Sequence, residues 1–217
     1  MIKKRTWIVI ICLVLLLSAC TPRLVSEAKA KEAGLAMIHQ AYGADLADAV
    51  VTTEYQERAG VTYDDGFTIQ YGTEEPMRVY VIRVNPDEIG NAEYYAEVNA
   101  VSGVAYRARI RPSSIVLTEE QQKKADIFGA YENFDSDTLE AIQQDAVSVA
   151  TDMIDSRLEQ DVPIFRIYPD TIMTDKLEYP KVFLEYIAIM ENDTIYSIML
   201  CWPSMDLVDV NIRNFDS

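Results

Sequence analysis

The chain predicts an α+β fold made of two tandem units, each a helix packed on an antiparallel sheet. Three observations carry this expectation. Apolar residues recur at helical spacing in two stretches, residues 27–42 and residues 138–159. Each stretch is followed by short segments in which apolar and polar residues alternate, separated by turn-forming residues. The order of a helix followed by antiparallel strands therefore occurs twice, and that order is the signature of the α+β class.

A segment of another kind comes first. Lys3, Lys4 and Arg5 form a basic start, and an unbroken apolar run of 11 residues extends from Trp7 to Leu17. That length suits a leader and falls short of the roughly 20 residues a membrane-spanning helix needs. The four residues that follow the pattern, Leu17-Ser18-Ala19-Cys20, resemble the lipobox of bacterial lipoproteins. The resemblance implies that residues 1–19 are a signal peptide, that Cys20 carries the lipid, and that residues 20–26 are a tether. It places the protein on the extracytoplasmic face of the cell membrane, because two or three acyl chains anchor stably where one holds marginally. Thr21 is not aspartate, so nothing at this position resembles an inner-membrane retention signal.

Loss of residues 1–19 removes three basic residues and no acidic one, so 16 Lys+Arg face 35 Asp+Glu and the formal charge is −19. Such a surface repels anionic lipid headgroups and nucleic acid, which argues against a nucleic-acid partner. Cys12 leaves with the leader and Cys20 is consumed by lipid, which leaves Cys201 alone. Neither a disulfide framework nor a cysteine metal site follows from one thiol.

The first unit is expected over residues 27–112. Leu24, Ala28, Leu35, Ile38 and Tyr42 fall on one helical face ending near Gly43. Alternating segments follow at about 50–57, 67–71, 77–84, 93–100 and 104–111, broken by Asp64-Asp65-Gly66, Glu74-Glu75-Pro76 and Asn85-Pro86. Around Ser102-Gly103 a two-residue loop would set Val98 opposite Arg107 and mix apolar with charged on both faces. A three-residue loop with Gly103 left-handed pairs Val98 with Tyr106, Ala100 with Val104 and Tyr94 with Ile110. It also aligns Glu97 with Arg107, Tyr95 with Arg109 and Glu93 with Arg111 on the other face. This register satisfies both faces.

The Ala-rich helix Glu27–Tyr42 and the run Tyr94-Tyr95-Ala96-Glu97-Val98-Asn99-Ala100 with Ser102-Gly103-Val104 resemble a PepSY-type domain. The resemblance covers about 85 residues of the 217. It implies a non-catalytic module that binds or restrains secreted peptidases or cell-wall enzymes, and it brings no cofactor.

Residues 113–136 read as a connector, with Thr118 and Gln121 in capping-box spacing for a short helix. The second unit, residues 137–217, has a helix whose apolar stripe is Leu139, Ile142, Ala146, Val149, Met153 and Ile154, then strands at 164–168, 181–190, 194–202 and 207–213. A two-residue turn at Asn192-Asp193 puts Val182, Leu184, Tyr186, Ala188 and Met190 with Ile195, Met199 and Cys201. It gathers Phe183, Ile187, Ile189, Tyr196, Ile198, Leu200 and Trp202 on the opposite face. Both faces are then apolar, so something covers the second. Either the other unit or the connector packs there, or these seven residues form a groove for a partner.

Catalytic constellations are sparse. His39 is the single histidine and sits in a helix, and no G-x-S-x-G elbow occurs. The acidic pairs Asp64-Asp65, Glu74-Glu75 and Glu119-Glu120 read as solvated turns in an acidic chain, and Asn192-Asp193-Thr194 reads as a turn rather than a glycosylation site. The Arg107, Arg109, Arg111 row is the one basic stripe, with cross-strand Glu93 and Glu97 to pair it. The expectation is a non-enzymatic lipoprotein that binds or regulates another envelope protein. The alternative is a binding protein for a small apolar or peptide ligand held between the two units.

Overall fold

The structure is a computed structural model, and it describes residues 22–64, 68–128, 135–159, 161–175 and 181–213. The expected leader, residues 1–19, and Cys20 lie outside the described residues. Among those described, the order is α1 (Glu27–Tyr42), β1 (Val51–Asp64), β2 (Thr68–Val84), β3 (Tyr94–Asn99), β4 (Ala105–Ile110), α2 (Glu119–Phe128) and α3 (Ser136–Met153). A π-helical turn, Ile154–Leu158, extends α3, and β5 (Ile164–Asp175), β6 (Lys181–Met190), β7 (Ile195–Trp202) and β8 (Asp206–Ile212) follow.

The strands form one antiparallel sheet in the order β1-β2-β3-β4-β8-β7-β6-β5. The class is α+β, as expected. The strands assigned by sequence to two sheets lie in one, because β4 pairs with β8 through Arg107↔Asn211, Ala108↔Val210 and Arg109↔Asp209. This short ladder is the seam of the molecule.

Helix α1 begins where the Ser26 hydroxyl accepts from the Lys29 N–H, and ends where Gly43, with φ 66°, donates its N–H to His39 O. Its buried residues are Ala30, Gly34, Met37, Ile38 and Ala41, so the inward stripe is rotated from the expected one and Ala28 is exposed. Small residues explain the rotation. A Cβ on Gly34 would stand 3.0 Å from Ile82 Cγ1 and 3.2 Å from Ala96 Cβ, so only glycine lets this helix lie so close to β2 and β3. The capping box of α2 forms as read: Thr118 N–H donates to Gln121 Oε1 at 2.9 Å and Gln121 N–H to Thr118 Oγ1 at 3.2 Å. Helix α3 starts two residues earlier than expected, where Asp135 accepts from the Thr138 N–H at 2.8 Å.

Glu74-Glu75-Pro76 does not end a strand. It lies within β2, at a register shift where Arg58↔Met77 gives way to Gly60↔Thr73, and such a bulge tolerates proline because no ladder N–H is needed there. From Thr68 on, the expected segments 67–71 and 77–84 are thus one strand.

In the β3–β4 hairpin Gly103 has φ 79°, and Tyr94↔Ile110, Tyr95↔Arg109 and Glu97↔Arg107 are as expected. A bulge then pairs Val98 with Ala105 instead of Tyr106. Tyr106 turns to the face away from α1, where it packs with Val79 and Val81 in a small separate cluster.

The β6–β7 hairpin departs further. Met190 N–H bonds to Thr194 O, Asp193 N–H bonds to Met190 O, and Asp193 adopts φ 66°. The loop therefore has three residues, not two, and Ile189 pairs with Ile195. A one-residue slip turns every β7 side chain to the other face. Tyr196, Ile198, Leu200 and Trp202 join Ala188, Tyr186, Leu184 and Val182, on the face that packs under the helices. There the Tyr186 hydroxyl meets Gln143 O of α3. The main core runs through this layer from Ile38 and Ile82 to Ile154, Leu184, Ile198 and Val210.

Candidate functional site

The seven residues expected to form a partner groove are divided by the β6–β7 register. Tyr196, Ile198, Leu200 and Trp202 are buried beneath the helices, and Phe183 and Ile187 are buried on the opposite face, with Ile189 half-buried. Phe183 and Cys201 belong to the same contiguous core as Leu117 and Ala125, the residues flanking and within α2. No groove gathers these seven side chains, because the chain itself covers them.

The face away from α1 carries instead a band of paired charges. The register aligns Glu97, Arg107, Asn211 and Ser197 on neighbouring strands. Arg107 Nε lies 3.0 Å from both oxygens of Asp209, and Nη2 also donates to Asp209. Burial raises the Asp209 carboxyl above its ordinary range, with the Arg107 hydrogen bonds opposing. Glu97 accepts from Arg58 of β1 at 2.9 Å and from the Tyr106 hydroxyl at 2.9 Å. Burial pushes its carboxyl up, but Arg58, Arg107 and Tyr106 together hold it below the usual range. Ser197 donates to Glu185 at 2.5 Å, and Arg213 bonds to Glu185 and Asp170.

The basic row is therefore engaged: Arg109 meets the Tyr95 that the register aligned with it, while Arg107 and Arg111 take carboxylates other than Glu97 and Glu93. Arg107 takes Asp209 of β8, Arg109 stacks 4.5 Å over the Tyr95 ring, and Arg111 donates to Asp87 at 3.0 Å. Glu93 accepts from Asn85 instead. The sequence could not offer Asp209 as a partner while β8 was assigned to another sheet.

On the helix side the seam opens into a cavity of about 500 Å³. Tyr42 of α1, Tyr94 of β3 and Ile110 of β4 form one wall. Val149 and Met153 of α3, Arg157 of the π turn, and Met205, Asp206 and Leu207 at the start of β8 form the other, with Ser114, Ile115 and Val116 between them. The two halves of the sheet thus share this space. The Tyr42 Oη sits 3.0 Å from Val208 O and 3.2 Å from Ala108 O, a three-centre bond tying α1 to both seam strands. Burial, then the Asp209 charge, raises the Tyr42 hydroxyl well above its ordinary pKa, so it stays a donor. Its ring packs on Tyr94 with centroids 5.4 Å apart.

The position of Arg157 is set by its own donation to Ala41 O at the end of α1, while Gln40 of α1 reaches back to Leu158 O. Among the described residues neither Arg157 nor Asp206 forms an ion pair. The lining mixes apolar and aromatic side chains with at least as much polar surface, to which Arg157, Asp206 and Ser114 belong. This composition suits a small molecule with an apolar body and polar ends. Of the cavity residues, Val149 and Met153 were legible as a helix stripe. Met205 was not, because it holds a left-handed backbone, φ 59°, in a turn that sequence spacing does not announce.

His39 is exposed and uses Nδ1 on Ala44 O, which fastens the end of α1. Glu119 and Glu120 lie in the first turn of α2. Asp65 lies outside the described residues, as do the side chains of Asp64, Glu74 and Glu75. Asn192 forms a turn, accepting from Thr194 N–H and donating to Glu159. Among the described residues no group of three or more His, Cys, Asp or Glu side chains converges as a metal site would require. No helix among them is long and apolar enough to cross a membrane. No protein-family model, curated protein or solved structure matches the chain.

Proposed function

We propose that the protein is a lipid-anchored extracytoplasmic binding protein, held to the membrane through Cys20, that takes a small apolar or peptide ligand in the cavity at the β4–β8 seam. The observation that carries this reading is the cavity itself, about 500 Å³ and walled by residues from both halves of the sheet. Its size falls in the range of small-molecule sites. Arg157 and Asp206 stand where they would meet the polar ends of such a ligand.

The reading takes the chain as two units of one architecture, the first PepSY-like and the second its architectural counterpart. Support comes from the repeated order of one long helix and four antiparallel strands, and from the bulged Gly103 hairpin of the first half. It is non-catalytic, and ligand capture is its output.

A protein or peptide partner from the envelope is favoured by a different observation. β5 is an edge strand, and it exposes Phe165 and Ile172. An open edge of this kind pairs readily with an added strand.

A thermal-shift screen of amphipathic small molecules and short peptides tests the ligand reading. A ligand at 100 times its dissociation constant adds about 2.7 kcal/mol to stability. Filling the cavity by Val149→Trp should abolish that shift while the fold survives. A ligand that stabilises Val149→Trp as well as wild type binds elsewhere. Replacing Cys20 by Ser should release the protein from the membrane, and retention would sink the anchoring reading.

A further inference from the structure

The described chain enters the fold at the β3–β4 turn. Val25 N–H donates to Ala100 O at 2.8 Å, and the Tyr80 hydroxyl donates to Val25 O at 3.1 Å. These bonds pin the segment before α1 to the end of the sheet that carries Ala100–Val104. At this corner Leu24, Val101 and Val104 are exposed by 37%, 41% and 45%. Scattered exposed apolar residues are ordinary, but Val101 and Val104 share one turn and Leu24 directly precedes the Val25 bonded to its first residue.

Charge favours the same corner. The chain past the leader carries −19, yet residues 99–104 hold no carboxylate, and Arg23 and Lys29 stand on the segment bonded to them; the nearest acids in sequence are Glu97, on β3 before the turn, and Glu27, between those two cations. The Lys29 Cε and Nζ lie 3.4 and 3.5 Å from where a Gly103 Cβ would stand, so this cation lies on the turn. At the opposite end of β3 the picture reverses: Ile89 is 84% exposed in a loop with Asp87 and Glu88.

We propose that this corner rests on the phospholipid interface of the membrane, with Leu24, Val101 and Val104 entering the headgroup boundary and Arg23 and Lys29 among the phosphates. The proposal rests on the reading of Cys20 as the lipid-bearing residue. Four residues, Thr21 to Leu24, separate Cys20 from Val25, which makes five Cα steps. Fully extended they reach about 18 Å. A lipid at Cys20 therefore keeps the pinned Val25 within that distance of the bilayer, and the β3–β4 turn is the part of the fold beside it. Apolar side chains at an interface settle about 5–10 Å into the headgroup boundary, with cations at its phosphate level.

The test uses the full chain, purified from bacterial membranes and returned to phosphatidylcholine vesicles in which some lipids carry a headgroup quencher. Val101→Cys and Ile89→Cys are each labelled with a fluorophore. Cys201 is buried and does not compete for label. The proposal expects the label at position 101 to be quenched several-fold more than the label at position 89. Equal quenching, or none at position 101, in protein that floats with the vesicles overturns this surface and leaves the Cys20 reading intact. Protein that does not float overturns the Cys20 reading and this surface with it.

Discussion

Arg107 of β4 and Asp209 of β8 close the seam with a forked ion pair, the guanidinium Nε standing 3.0 Å from each carboxylate oxygen. The pair takes its strength from burial, since the Asp209 side chain is only 10% exposed. Removing the arginine would strand that carboxylate. Arg107→Ala should lose about 2–3 kcal/mol, less than a wholly buried pair because Arg107 is itself partly exposed. Replacing both by apolar residues, Arg107→Met with Asp209→Leu, should restore most of it. Urea unfolding of the three proteins decides, and a double variant no better than the single would show that the pair is not coupled.

Tyr42→Phe keeps the ring against Tyr94 and removes the hydroxyl shared by Val208 O and Ala108 O. The expected loss is about 1 kcal/mol in thermal unfolding. An unchanged melting temperature would mean that water replaces the hydroxyl at no net cost.

These two residues show what the sequence could and could not reveal. The capping box of Thr118 and Gln121 was legible because both partners lie within one turn of chain. The seam was not, because Arg107 and Asp209 are 102 residues apart and nothing in local pattern says which strands will meet. The β6–β7 register was misread for a narrower reason. Asp193 takes the left-handed position that glycine usually fills, so the three-residue loop lacked its customary marker. A parity check on polar residues held the missing signal: only the three-residue loop puts Glu185 and Ser197 on one face, where they hydrogen-bond. Tyr106 was placed on the wrong face because a bulge adds one residue without changing composition.

Gly34→Ala sets two effects against each other. Alanine favours the helix over glycine by about 1 kcal/mol. Its methyl would press on Ile82 and Ala96 at 3.0–3.2 Å, and overpacking costs about 1–3 kcal/mol. Packing should win, with a net loss near about 1 kcal/mol by urea unfolding. A stabilised variant would mean that β2 gives way easily beneath α1.

Glu97 makes acid stability testable. Its folded carboxyl titrates below the ordinary value, about 4.3 in an unfolded chain. A depressed value stabilises the fold above the unfolded pKa, and that stabilisation disappears as pH falls through the folded one. Glu97→Gln should therefore flatten the acid limb of the stability curve and cost about 1 kcal/mol at neutral pH, since Arg58 is partly exposed and screened. Asp209, raised by burial, contributes with the opposite sign, so the comparison must be between wild type and the Glu97 variant. Parallel acid limbs would exclude Glu97 as a contributor.

Burial raises the Cys201 thiol to about 11. At mildly alkaline pH it should resist alkylation in the folded protein and react fully in denaturant, as mass spectrometry of the Cys201 peptide would read. Rapid labelling without denaturant would show that β7 opens locally.

Joining β4 to β8 also settles how many open margins the molecule presents. Two separate four-stranded sheets would have four unpaired strand edges, each able to recruit another chain. One sheet has two, β1 and β5. A cleavage between Phe128 and Asp135 that let the halves part would uncover β4 and β8 together. Fragments made this way are expected to re-associate with each other or self-assemble through those strands, so proteolytic clipping in that connector carries an aggregation hazard that the intact chain avoids.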